Sequence, residues 1–175
     1  KEGTTYDYPT IVEMASSSAG FQSLVDPDHP SFANPKSMTA ALTDYCHQTG
    51  QVVPATHAAI VRCIFDSLAL KYKYVLGKLQ QVAPFPIERL HIIGGGAKNR
   101  LLNQFTANAI GMSVMAGPSE ATAIGNIMMQ AKAMGVVDTL GDMRALIRQA
   151  VTPDLFEPQD AAAWEAAYTR FLAVT

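Results

Sequence analysis

The chain has 175 residues, 49% of them hydrophobic, and 13 Lys and Arg against 15 Asp and Glu give it a net charge of −2. That length fits one domain with a sizeable core, and with no basic run and no basic residues interleaved with aromatics, nucleic acid is excluded as a partner. No apolar run reaches the ~20 residues of a membrane span, so no membrane partner is expected, and the two cysteines, Cys46 and Cys63, fit buried free thiols in a reducing, cytoplasmic setting.

In chain order, YPTIVEMASSS (8–18) reads as a short helix. VDPDHPSFANP (25–35) packs three prolines and several turn formers into eleven residues, an ordered or lid-like loop. A helix follows over 37–50, with Ser37 placed to cap it and Gly50 just past its end. The strongest element spans 55–81, where Ile60, Ile64, Leu68, Val75, Leu76 and Leu79 keep a helical period, with Val61 and Tyr72 on the same side. After the proline-broken VAPFPIE (82–88), LHII (90–93) predicts a short strand, apolar on both faces as in a buried parallel sheet.

Gly94, Gly95 and Gly96 then lead into a helix over 100–110, with Leu101, Leu102, Phe105 and Ala109 inward and Gly111 as its stop. MSVMA (112–116) predicts a second strand. The next helix is expected to be capped by Ser119 and stopped at Gly135, with Gly125 inside it for close packing. Helices over 139–149 and 160–173 close the chain, the last burying Trp164, Tyr168, Phe171 and Leu172. From 55 on, helix and strand alternate as in a parallel α/β arrangement. Two strands cannot bury a sheet on both faces, and the chain opens on Lys1 rather than Met, so further strands are expected upstream.

Several chemically suggestive residues have plainer readings. Asp26 and Asp28 sit beside prolines as turn formers. Glu120 lies in a first helical turn, where a carboxylate favours the helix dipole. Cys46, His47, His57 and Cys63 lack the CxxC or HxxxH spacing of a zinc site. His91 reads as a satisfied core residue, and Met112, Met115, Met128 and Met129 as core packing.

The glycines ask for more. A bare turn between strand and helix lets backbone approach a ligand closely, most often a nucleotide. A dinucleotide fingerprint starting at Gly94 needs its third glycine where this chain has Asn99. Its acidic ribose partner, ~20 residues on, could only be Glu120. A Walker loop is excluded, since no GK[ST] follows. A tight turn with no ligand stays open, although three adjacent glycines cost about 0.5–1 kcal/mol each relative to Ala.

LHIIGGGAKNRLLNQFTANAIGMSVMAGPSEATAIGNIMMQA (90–131) resembles the adenosine-binding segment of the FGGY carbohydrate kinase family, within the actin-like, ribonuclease H-like ATPase fold. That family's strand, GGG-x-x-N turn, Gln-bearing helix, second strand and E-A-T-x-x-G-N helix are met by Gly94, Gly95, Gly96, Asn99, Gln104, Pro118, Glu120, Ala121, Thr122, Gly125 and Asn126. VDPDHPSFANPKSM and VRCIFDSLALKY narrow the resemblance to the branch that phosphorylates L-rhamnulose.

The resemblance implies an α/β fold, part of an actin-like lobe, helix-rich with short parallel strands at 90–93 and 112–116. It implies a lid-like segment over 1–54, a C-terminal nucleotide-binding lobe over 55–175, and a sugar-binding lobe with the catalytic Asp outside this chain. ATP and Mg²⁺ are the implied cofactors; ATP or ADP, and a sugar held by the other lobe, are the implied partners. Gly94 and Gly96 would shape the loop, Gly95 would lie against the purine, and Asn99 would match the adenine edge or ribose. No catalytic base and no metal ligand is expected here, so the chain alone should be inactive. Kinases for xylulose, fuculose or glycerol, and a dinucleotide-dependent oxidoreductase domain, are the alternatives. An uncovered sheet edge should favour self-association.

Overall fold

The computed structural model describes residues 5–175. Seven α-helices and a three-stranded sheet make up the fold among these residues: α1 (Tyr8–Ser17), α2 (Met38–Gln48), α3 (His57–Val82), β1 (Leu90–Ile92), α4 (Arg100–Ile110), β2 (Val114–Ala116), α5 (Ala121–Ala133), α6 (Leu140–Ala150), β3 (Asp154–Phe156) and α7 (Ala161–Leu172). Short 3₁₀ turns occupy Pro30–Phe32 and Gly95–Lys98.

Helix starts follow local chemistry. Side chains of Asp7, Ser37, Thr56 and Asn99 accept from the backbone N–H three residues on, satisfying donors the helix leaves unpaired. Thr139 and Asp142 form a reciprocal capping box at α6. At α5 the expectation fails: the cap position is Glu120, not Ser119, and no side chain caps it. Gly111 and Gly135 take φ of +68° and +72° just beyond α4 and α5, the left-handed stop that glycine adopts without a Cβ penalty.

The main core lies where α1, α3, α4 and α7 meet, built from Leu24, Phe65, Leu70, Phe105, Trp164 and Phe171. Trp164 takes Phe21 edge-on, with ring centroids 4.7 Å apart. The buried face of α3 is centred on Cys63, Phe65, Asp66, Ala69 and Leu70 rather than on the expected 60/64/68 stripe. The reason is that two cores use this helix: Phe65, Ala69 and Leu70 face the main one, and Cys63 joins Val25, Leu42, Tyr45 and Cys46 in a second. Towards its C-terminal end Leu76 is buried as expected and Tyr74 still packs against the main core, while Val75 and Leu79 are exposed; Leu172 of α7 is exposed as well. Cys46 and Cys63 are free and buried.

A charged knot ties the first segment to α3. Asp66, fully buried, accepts from the Phe21 N–H at 2.7 Å and from Arg62 Nε at 2.9 Å. Arg62 also donates to the carbonyls of Ala15 and Ser18, and its guanidinium lies 4.6 Å from the Phe105 ring centroid. Burial raises the Asp66 pKa, against the opposing pull of the Phe21 N–H and Arg62. A Cβ on Gly20 would stand 2.4 Å from an Arg62 nitrogen, so a side chain there would push this guanidinium aside.

The sheet order is β1-β2-β3, with β1 parallel to β2 and β2 antiparallel to β3. The third strand was not expected: DLF follows Pro153, and its Leu155 points to solvent, so it carries no continuous apolar run. β1 is an edge strand rather than a doubly buried one. His91 and Ile93 are exposed, Ile93 at 60%, which corrects the reading of His91 as a core residue. Nor does Gly125 pack closely, since a Cβ there would meet nothing within 4 Å. Met129 is exposed, so it is not the core residue expected. Among the described residues no helix is long and apolar enough to cross a membrane.

Candidate functional site

β1 and β2 run side by side and end in two adjacent turns, one carrying the three glycines and the other Gly117 and Pro118. Two backbone bonds zip the turns together: Gly117 N–H donates to the Ile92 carbonyl at 2.8 Å, and Gly94 N–H to the Pro118 carbonyl at 3.1 Å. Gly94 has a φ of +77°, which alone accounts for glycine at that position. Gly95 and Gly96 have no such requirement. A Cβ on Gly95 would meet nothing within 4 Å, and one on Gly96 only Ile92 at 3.8 Å. Neither backbone angle nor internal packing explains Gly95, so the free space over it is available to a ligand.

Beside this turn lies a cleft of about 420 Å³ with walls from Ala97 and Lys98, from 116–120, from Ile124, and from 151, 152 and 154. Its walls mix apolar and polar groups. Lys98 Nζ faces a Glu120 carboxylate oxygen at 3.7 Å across it, both side chains exposed. Asp154 is paired with Arg100 at 2.5 Å, and the Arg100 guanidinium lies 5.2 Å from the Phe156 ring centroid. An apolar pocket of about 240 Å³ under the 25–32 loop offers only Ser67 as a polar lining residue.

The four residues singled out from the sequence are thus gathered in one turn at the cleft's edge, although Ala97 and Lys98, not the glycines, form its wall. Asn99 is 7% exposed, and its Oδ1 accepts from the Leu102 N–H at 3.0 Å. Its carbonyl therefore starts α4. Sequence reasoning named Gln104 only as a motif residue and missed Asn103 and Asn108, which with it hold this corner together. Gln104 Nε2 donates to Asn108 Oδ1 and to the Glu157 carbonyl, and Asn108 Oδ1 also accepts from the Gln159 N–H, fastening the chain after β3 to α4. Asn103 Nδ2 donates to the Ala97 carbonyl at 2.9 Å. The available signal was the density of amides on an otherwise apolar helix face. Asp26 and Asp28 hold Lys71 at 2.6 and 3.0 Å, an ion-paired turn away from the cleft. Among the described residues, no group of three or more His, Cys, Asp or Glu could hold a metal ion.

A model of the FGGY family of carbohydrate kinases, C-terminal domain, matches residues 3–134. The chain belongs to the FGGY family of carbohydrate kinases. It is similar to a rhamnulokinase of Bacteroides thetaiotaomicron, 54% identical over 164 residues, covering 94% of this chain and 34% of that one. A Bacillus subtilis rhamnulokinase is 37% identical over 155 residues, covering 89% and 32%. The chain therefore spans about a third of the length of the curated FGGY relatives it matches. Among solved structures, a xylulose kinase from Rhodospirillum rubrum superposes with a TM-score of 0.63 at 21% identity over 95% of this chain and 33% of that one. A Plasmodium falciparum glycerol kinase with ADP gives 0.65 at 13% identity, again over 95% and 33%. These likenesses show that the chain shares the fold of the matching part of these kinases, a helix-rich arrangement with a small mixed sheet.

Proposed function

We propose that this chain is the adenosine-binding part of a sugar kinase that transfers the ATP γ-phosphate to L-rhamnulose, giving L-rhamnulose 1-phosphate and ADP in the cytoplasm. The observation that carries the reading is the 54% identity to a rhamnulokinase across nearly the whole chain. The glycine turn supports it, because Gly95 keeps open a space that the chain itself does not fill. Residues 55–175 act as the nucleotide-binding lobe and 1–54 as a lid-like segment, of which residues 1–4 lie outside the described structure. Gly94 sets the turn, Gly95 and Gly96 lie against the purine or ribose, and Asn99 fixes the start of α4 so that its N-terminal N–H groups face the nucleotide. Mg²⁺ enters on the nucleotide phosphates rather than through a carboxylate cluster among the described residues. Sugar contacts and the base that orients the attacking hydroxyl come from the rest of the complete enzyme.

The test is a coupled ADP-release assay of the complete enzyme over a panel of ketoses and glycerol, beside its Gly95→Val variant. L-Rhamnulose should lead the panel. The added isopropyl group should raise the KM for ATP by at least about tenfold, roughly the cost of one lost close contact, and leave the KM for sugar nearly unchanged. Another leading sugar would move the assignment within the family. Equal effects on both KM values would mean that the nucleotide lies elsewhere.

A further inference from the structure

The glycine turn lacks side chains of its own to brace it, so its shape has to come from its neighbours. Ala97 is the first residue of the turn to be buried; it packs in the small core with Ala107, Val114, Ala116 and Phe156 and forms part of the cleft wall. Its carbonyl accepts from Asn103 Nδ2, and Asn103 itself is 1% exposed. Asn103 stands one helical turn after Asn99, whose carbonyl accepts from its backbone N–H at 3.0 Å. A polar side chain buried in a helix face that otherwise packs apolar residues costs stability unless it is fully used. Here its amide is spent on the first buried residue of the turn.

We propose that Asn103 is a positioning residue for nucleotide binding, resting on the kinase reading above: it holds the 95–98 backbone at the height that keeps the space over Gly95 open. It touches no nucleotide itself. Without its donor the Ala97 carbonyl loses a buried partner, and the turn is no longer held in place. The effect falls on ATP and not on the sugar, whose contacts lie in the rest of the enzyme.

Two variants of the complete enzyme test this, with amide hydrogen exchange at 94–99 read in the absence of nucleotide. Asn103→Leu, close in size but without a donor, should speed exchange across that turn and raise the KM for ATP about tenfold, the equivalent of one buried hydrogen bond, with sugar KM held within about twofold. Asn103→Asp keeps the shape and guards against a Leu variant that does not fold. Its carboxyl can donate to Ala97 only when protonated, so its KM for ATP should approach the wild-type value near about pH 5 and rise towards about pH 8. Faster exchange in the turn with an unchanged KM for ATP overturns the positioning role while the kinase reading stands. So does a pH-independent ratio in the Asp variant. A wild-type enzyme that neither binds ATP nor turns over overturns the kinase reading and this proposal with it.

Discussion

Two sides of the molecule treat their polar and apolar groups in opposite ways. Around α3 and α4 even charged groups are buried and answered: Asp66 has Phe21 N–H and Arg62, Asn103 has Ala97, Asn108 has Gln104 and Gln159. α5 buries none of its residues, and Ile127, Met129, Met134, Val136 and Leu140 are exposed along α5, the turn after it and the start of α6. An apolar groove of about 330 Å³ runs between α5 and α6, walled by Ile124, Ile127, Met128, Leu146 and Ile147. The first side is a finished core. The second presents hydrophobic surface that the described residues do not bury, in keeping with a chain that spans about a third of its relatives' length. The difference teaches that exposed apolar residues and a motif glycine such as Gly125 are not explained by packing among the residues described.

The sharpest way to break the comparison is Asp66→Ala. If the α3 side is closed by its charged knot, removing one partner strands Arg62 and the Phe21 N–H, and the unfolding free energy should fall by roughly 3–5 kcal/mol in a urea titration. A loss below about 1 kcal/mol would show that apolar packing alone closes that side.

A smaller effect concerns the 25–32 loop. Burial by itself would raise the Asp26 pKa, but the hydrogen bond and charge of Lys71, with the Asp28 N–H, outweigh it and hold the carboxyl below its ordinary value of 3.8. A carboxyl held low in the fold contributes stability that is complete above the unfolded value and is lost as pH falls through the lower folded one. Acid should therefore free this loop, seen as protease cleavage within 25–35 appearing below about pH 4. Lys71→Met should cost about 1 kcal/mol at neutral pH and make the loop's opening depend less on acid. Equal acid sensitivity in both proteins would remove Asp26 and Lys71 as the clasp.

The smallest expected effect sharpens the contrast from the other side. Ile127→Gln and Met129→Gln in this chain should each shift the melting free energy by no more than about 0.5 kcal/mol, because both side chains are exposed. A loss above about 1 kcal/mol from either would mean that α5 is packed after all.

Much of this was legible beforehand because it is local chemistry. Ser37 caps α2 as the sequence predicts, Gly111 and Gly135 stop their helices, and β1 and β2 fall within the two expected segments. The FGGY pattern pointed to the family that the comparison shows. What was not legible depends on partners distant in sequence. His91 alternates into an apolar strand, yet it is exposed because β1 is an edge. β3 has too little apolar character to be seen alone and forms because Phe156 fills the small core opposite Val114. Asn103 looks like any helical amide until the turn beneath it is in place.

The sequence by itself determined where helices begin and stop, which turn carries bare backbone, and which family the motif belongs to, since each is written in residues a few positions apart. Only the tertiary structure decided which face of α3 is buried, which polar groups are answered, and that Gly95 keeps space open while Gly20 is claimed by Arg62. Those outcomes turn on burial and on atoms meeting across 40 or more residues of chain, as Phe21 and Asp66 do, and no local pattern encodes them.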